Sequence, residues 1–151
     1  MISLTFEGFD PGALLTEFTR ERREVGAVAT FTGLARAEAG STAILELEAY
    51  PGFTEREIQK IADQARRRFE LDDVLVRHRV GKIAPGEAIV FVATAAKHRR
   101  AAFEACDFLM DYLKSRAPFW KKEHGPDGER WIEPRPEDHA DIARWDEETT
   151  R

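Results

Sequence analysis

Cysteine is nearly absent: Cys106 is the only one in 151 residues, so no disulfide can form within the chain and a reducing compartment suits it. No apolar run approaches bilayer-spanning length, and no basic segment followed by an apolar h-region opens the chain. A soluble, cytoplasmic protein without membrane association is expected. Positive charge is outnumbered, 23 Lys and Arg against 28 Asp and Glu, for a formal net charge of −5. That balance argues against a general nucleic-acid binder and leaves room only for a local basic pocket. The four histidines, His78, His98, His124 and His139, lack metal-ligand spacing, so no metal is expected. A Gly-rich phosphate loop, a nucleophile elbow and a paired-cysteine site are missing as well. With no repeat, low-complexity block or linker, residues 1–151 are expected to form one compact domain with a real core.

What is present is a mixed pattern of strands and helices. Ile2 to Phe6 alternates as an edge strand, and Asp10-Pro11 supplies an N-cap and a first-turn proline for a helix to about Arg20, with Leu14, Leu15 and Phe18 inward. Small and β-branched residues from Gly26 to Gly33 predict a buried strand. Leu34 to Thr42 has neither period and is expected to be a mobile loop with Arg36 at its root, where a guanidinium could clamp a phosphate or simply be solvated. Ile44 to Tyr50 alternates up to the Pro51-Gly52 turn. Thr54 to Glu57 has the spacing of a capping box, opening a helix whose apolar face is Ile58, Ile61, Ala62, Ala65 and Phe69. Val74 to Val80 alternates again, with His78 facing as Val76 and Val80 do; a hydrogen-bonded core histidine is the expectation there. A turn at Pro85-Gly86 leads to the apolar run Ala88 to Ala96, a central strand. Glu123 to Ile132, broken by Gly125-Pro126-Asp127-Gly128, predicts a hairpin. From about 136 the chain is a polar tail, flexible or docked, with Ile142 and Trp145 as anchors. Three helices among about seven strands make the class α+β rather than regular βαβ alternation.

Residues 97–123, KHRRAAFEACDFLMDYLKSRAPFWKKE, hold the chemistry-bearing side chains. Ala102, Cys106, Leu109 and Leu113, with Phe103 and Met110 beside them, form an apolar stripe. Cys106 lies on that stripe, which favours a core residue over a nucleophile. His98, Arg99 and Arg100 fall at the helix start, where the macrodipole disfavours cations but free N–H groups suit an anion. Lys114 and Arg116 fall in the last turn, where cations complement the dipole without any further role, and Pro118 ends the helix. Phe119 and Trp120 then precede Lys121 and Lys122, and an amine beside apolar bulk suits acid–base work near neutral pH, although solvated lysines flanking core aromatics would share the pattern. If 98–114 is one helix, its sixteen steps of roughly 1.5 Å part His98 and Lys114 by about 24 Å. One chain cannot bring both to one small-molecule site, so either one end is functional or the site is composite across subunits.

The strings GAVATFTGLAR, LEAYPGFTE, VGKIAPGEAIVFV, KHRRAAFEACDFLMDYLKSRAPFWKKE and GERWIEPR, between Gly26 and Trp145, closely resemble the large, catalytic subunit family of molybdopterin synthase; MDYLKSRAPFWKKE is the most specific of them. The resemblance implies an α/β-hammerhead subdomain joined to a further α+β region. It implies a homodimer of large subunits at the centre of a heterotetramer, each end binding a small ubiquitin-like sulfur carrier with a C-terminal Gly-Gly thiocarboxylate. The implied reaction is a sulfurtransferase step of molybdenum cofactor biosynthesis: sulfur passes from the carrier to precursor Z, a cyclic pyranopterin monophosphate, and two transfers build the molybdopterin dithiolene.

Carried over by matching positions, the family's key amines fall on Lys114 and Lys121. Its anion-binding residues fall on Arg36, His98 and Arg99, with Lys122, Glu123 and Arg135 around the pocket, and its pocket-lining residues on Phe31 and Met110. Many members have lysine where this chain has Leu34, so a phosphate contact from that side chain is absent here; many lack a cysteine at position 106, in keeping with sulfur supplied by the carrier. No metal or redox cofactor is implied. Two rivals remain: a non-catalytic module that receives a peptide C-terminus in the same basic pocket, and a sulfurtransferase using Cys106 as a persulfide carrier.

Overall fold

The computed structural model describes residues 1–37, 43–133 and 136–148. In chain order the elements are β1 (Ile2–Thr5), α1 (Pro11–Thr19), β2 (Ala27–Leu34), β3 (Ile44–Ala49), α2 (Phe53–Phe69), β4 (Asp73–Arg79), β5 (Gly81–Ile83), β6 (Ala88–Ala96), α3 (Arg99–Ser115), β7 (Phe119–Gly125), β8 (Gly128–Ile132) and α4 (Pro136–Glu148). They form two four-stranded sheets, ordered β1-β4-β6-β2 and β5-β3-β7-β8. The class is α+β, as expected. Among the described strands only β1 and β4 run parallel; the other pairings are antiparallel.

Strand β6 is central to the first sheet, and all its residues but Ile89 are buried. Its alternation serves two faces. Val90 and Val92 face α2 and α3, in a core with Ile58, Ile61, Ala65, Val76, Ala102, Ala105 and Leu109. Phe91, Ala93 and Ala95 face Phe18, Leu14 and Leu15 of α1. Asp10 caps α1 by accepting the Gly12 N–H at 2.9 Å, with Pro11 at the first helical position. Each large apolar side chain fully withdrawn from water here, such as Phe91, Ile58 or Leu109, contributes on the order of 1.5–3 kcal/mol.

Several sequence expectations are corrected. Strand β2 is a sheet edge, not a buried strand: only Ala29 in it is buried and Phe31 is 40 % exposed. Its small residues serve close approach instead, since a Cβ on Gly33 would meet Val90 Cγ1 at 2.8 Å. The expected capping box at Thr54 does not form. Helix α2 starts at Phe53 behind Gly52, whose φ of 80° suits glycine. Thr54 is buried instead, its hydroxyl accepting the Tyr50 N–H at 2.9 Å and donating to the Pro118 carbonyl at 3.0 Å. The segment after Val80 contains β5, which pairs with β3 at the edge of the second sheet. The hairpin strand starts at Phe119, four residues before the expected Glu123, and its turn ends on Gly128 with φ 105°.

Residues Pro136–Glu148 form α4, which packs on α3. Trp145 is buried edge-on against Phe69 and Phe108, and the Asp111 carboxylate accepts from Trp145 Nε1 at 2.6 Å and from Arg144 at 2.6 and 3.1 Å. Ile142 is buried with it. Among the described residues no helix is long and apolar enough to cross a membrane.

Candidate active site

The two sheets meet at the C-terminal end of α3, where they enclose an open cleft of about 740 Å³. Helix α3 runs unbroken to Ser115 and delivers Lys114, exposed, at its last turn. The apolar stripe fixes that placement: Leu113 and Leu109 are buried, so the next residue round the helix points away from the core. Strand β7 delivers Lys121. Because side chains alternate along a strand, Phe119, Lys121 and Glu123 all line the cleft. Lys121 sits between Leu47 of β3 and Ile132 of β8, which also line it. Phe31 from β2 and Arg36 just beyond complete a wall with aromatic and cationic character.

Trp120, Lys122 and His124 alternate to the opposite face of β7. There the Lys122 ammonium is 3.1 Å from Glu129 and 4.5 Å from the centre of the Trp131 ring. The hydrogen bond to Glu129 raises its pKa, so aromatic neighbours do not make this amine a base near neutral pH. Glu123 faces the cleft but its carboxylate is also 2.9 Å from Arg130.

His78 was expected in the core and has a second place. The ring is buried, stacked on Phe119 at 4.1 Å between centroids and 18° between planes, and its Nδ1 is 2.8 Å from the Arg79 carbonyl. It also lines the cleft with both lysines. Burial first, and then the positive charges of Lys114 and Lys121, lower its pKa to about 4 against the opposing bond to Arg79. It is therefore neutral at physiological pH. The sequence predicts only the buried, hydrogen-bonded part of this, because alternation with Val76 and Val80 signals no more than an inward face, and the cleft opens where that face meets the second sheet.

The remaining candidates lie elsewhere. His98 and Arg99 line a separate concavity of about 390 Å³ with Arg100, Phe103 and Glu104, at the opposite end of α3 from Lys114. Both are exposed, and His98 takes the N-cap position without a side-chain bond to the helix. Met110 is half-buried against the main core and is not among the residues lining the cleft. Of the loop expected over 34–42, Leu34 instead ends β2, and residues 38–42, like Arg135, lie outside the described residues. Cys106 is buried within the main core, and burial, reinforced by Asp107, pushes its thiol up to about 12. A thiol so held supplies almost no thiolate at neutral pH, which removes the basis of a persulfide role.

One cleft thus gathers two amines from different elements, an arginine, an exposed aromatic wall and a neutral histidine. Such a site can hold an anionic group and stabilise negative charge developing beside it. Comparison with known proteins gives the same direction. A molybdopterin synthase catalytic subunit from Caulobacter vibrioides is 66% identical over 148 residues, covering 98% of this chain and 99% of that protein. The solved molybdopterin biosynthesis MoaE protein of Burkholderia ambifaria superposes with a TM-score of 0.82 at 47% identity, over 96% of this chain and 97% of that one. The crystal structure of molybdopterin synthase from Staphylococcus aureus matches with a TM-score of 0.78 at 30% identity, over 86% and 95% of the two chains. The sequence model described as MoaE protein matches residues 4–116, and with these relatives it shows that the chain belongs to the MoaE family, that of the molybdopterin synthase catalytic subunits.

Proposed function

We propose that this chain is the catalytic subunit of a molybdopterin synthase and works as a sulfurtransferase, with Lys114 and Lys121 as its catalytic residues. The convergence of these two lysines in one cleft, from α3 and β7, is the observation that carries the reading. The sulfur donor is the C-terminal thiocarboxylate of a small ubiquitin-like carrier, in keeping with the subunit status in the relatives' name. The acceptor is precursor Z. The thiocarboxylate sulfur forms a bond to a side-chain carbon of the pterin as the cyclic phosphate opens. Water then attacks the acyl carbon and breaks its bond to sulfur, so that oxygen leaves on the carrier as a carboxylate and sulfur stays on the pterin.

Lys114 holds the thiocarboxylate by charge and stabilises the oxyanion formed when water adds. Lys121 moves the proton to or from the pterin side chain as sulfur adds. Arg36 binds phosphate from within the cleft, and His98 and Arg99 supply charge-assisted bonds from a second large subunit. Helix length supports that arrangement over a site within one chain: His98 and Lys114 stand at opposite ends of α3 and in separate concavities. Because the carrier brings the nucleophile, the proposed reaction needs no metal or redox cofactor.

The test is a reconstituted assay with thiocarboxylated carrier and precursor Z, following the dithiolene product as its oxidised fluorescent derivative. Product from the wild type, and near-complete loss in Lys114→Ala with carrier binding retained, is the expected result. Carrier binding without product from the wild type would sink the reading and leave an interaction module.

A further inference from the structure

We propose that His78 is a positioning residue for the cleft lysines: held as its Nδ1–H tautomer by the Arg79 carbonyl, it offers the Nε2 lone pair as a neutral acceptor to the ammonium group of Lys114 or Lys121. The consequence for turnover rests on the sulfur-transfer reading above; the proposed hydrogen bond does not.

The tautomer follows from the partner. A carbonyl oxygen only accepts, so the 2.8 Å contact between His78 Nδ1 and the Arg79 carbonyl requires the proton on Nδ1. In a neutral ring Nε2 then carries a lone pair and no proton. Burial and the charge of the two lysines keep the ring neutral, with the pKa lowered to about 4. Its orientation is fixed as well. Stacking on Phe119 and residence on β4, between β1 and β6, leave the imidazole little freedom to turn. Phe119 also begins the strand that carries Lys121 two residues later, so ring and lysine share one frame.

The chemistry of the site favours such a partner. Lysine is a flexible point charge that must be steered before it can act on a reacting atom. A carboxylate would steer it but would also cancel its charge and compete with an anionic ligand. An imidazole lone pair orients an ammonium and leaves the charge available. The cations that bear on the ring are Lys114 from α3 and Lys121 from β7, and both line the same cleft as His78.

Two measurements decide the matter, one without turnover. In 15N-labelled protein, long-range proton–nitrogen correlations of His78 are expected to report the Nδ1–H tautomer. Protected ammonium protons at Lys114 or Lys121 are expected in the wild type and lost in His78→Asn, whose amide keeps the donor to Arg79 but lacks the distal acceptor. An Nε2–H tautomer, or lysine proton exchange unaltered in His78→Asn, would overturn the proposal whatever the enzyme's activity. In the assembled synthase, His78→Asn is expected to lower kcat on the order of tenfold or more with carrier affinity kept, and His78→Gln, which places an amide at the distal position, to recover much of it. Equal impairment of both folded variants would assign His78 a structural role only. If the wild type makes no product, the sulfur-transfer reading fails and the lysine exchange still decides this one.

Discussion

The hydroxyl of Thr54 donates to the carbonyl of Pro118 at 3.0 Å, joining the first turn of α2 to the residue before β7. The same oxygen accepts the Tyr50 N–H at 2.9 Å, so one fully buried side chain satisfies groups on either side of it. Thr54→Val keeps the shape and strands both backbone partners. Leaving buried polar groups unsatisfied costs roughly 1–3 kcal/mol, and urea denaturation is expected to show a loss of that size with an unchanged m-value. Because Pro118 precedes Phe119 and Lys121, turnover in the variant should fall further than the fraction unfolded explains.

Alternation along β7 separates two adjacent lysines that a sequence cannot rank. Lys121 faces the cleft, whereas Lys122 pairs with Glu129 and Trp131 on the other side. Lys121→Ala is therefore expected to lower kcat on the order of a hundredfold or more, the range for losing a proton-transfer group. Lys122→Ala should retain nearly full kcat, since its ammonium is held by Glu129 on the face turned away from the cleft. Steady-state rates of the two variants in the reconstituted system check this, and equal losses would contradict the placement.

The elements with a strong local signal were legible in the sequence: the stripe of α3, the Asp10-Pro11 start of α1, the apolar β6 and the Gly125–Gly128 turn all stand where pattern puts them. What escaped depended on partners distant in sequence. Thr54 and Glu57 have capping-box spacing, but the Pro118 carbonyl lies 64 residues away and competes for the hydroxyl. The polar tail carries too few apolar residues to announce a helix, yet Asp111 and the Phe69–Phe108 pair provide a seat for Trp145. Lys114 and Lys121 could be nominated from family resemblance; that His78 joins them follows only from the junction of two sheets.

Buried His78 also makes stability depend on pH. Unfolded, an imidazole gains its proton near pH 6.5; folded, this one does so only at about 4, with burial the main cause and Lys114 and Lys121 adding to it. Between those values the unfolded chain binds more protons, so acidification through that window destabilises the fold, by up to roughly 3 kcal/mol. Above pH 6.5 the ring adds nothing to the slope. Denaturation midpoints measured from pH 7 to 4 should fall more steeply for the wild type than for His78→Asn. Parallel curves would mean that the ring titrates as though exposed.

The length of α3 gives the composite site its sharpest test. Under the proposed arrangement each site takes Lys114 from one large subunit and Arg99 from the other, because α3 spans the distance between their two concavities. Lys114→Ala and Arg99→Ala homodimers are then each defective at both sites. Unfolding is not the expected cause, since both side chains are exposed. A dimer with one chain of each kind places both substitutions in one site and leaves the other site wild type. Random exchange of equal amounts makes half the dimers mixed, so activity is expected to recover to about a quarter of the wild-type value. Co-purifying differently tagged chains isolates the mixed dimer and should raise this to about half. If the mixed dimer is no more active than its parents, the two residues serve sites within single chains and the composite arrangement is wrong.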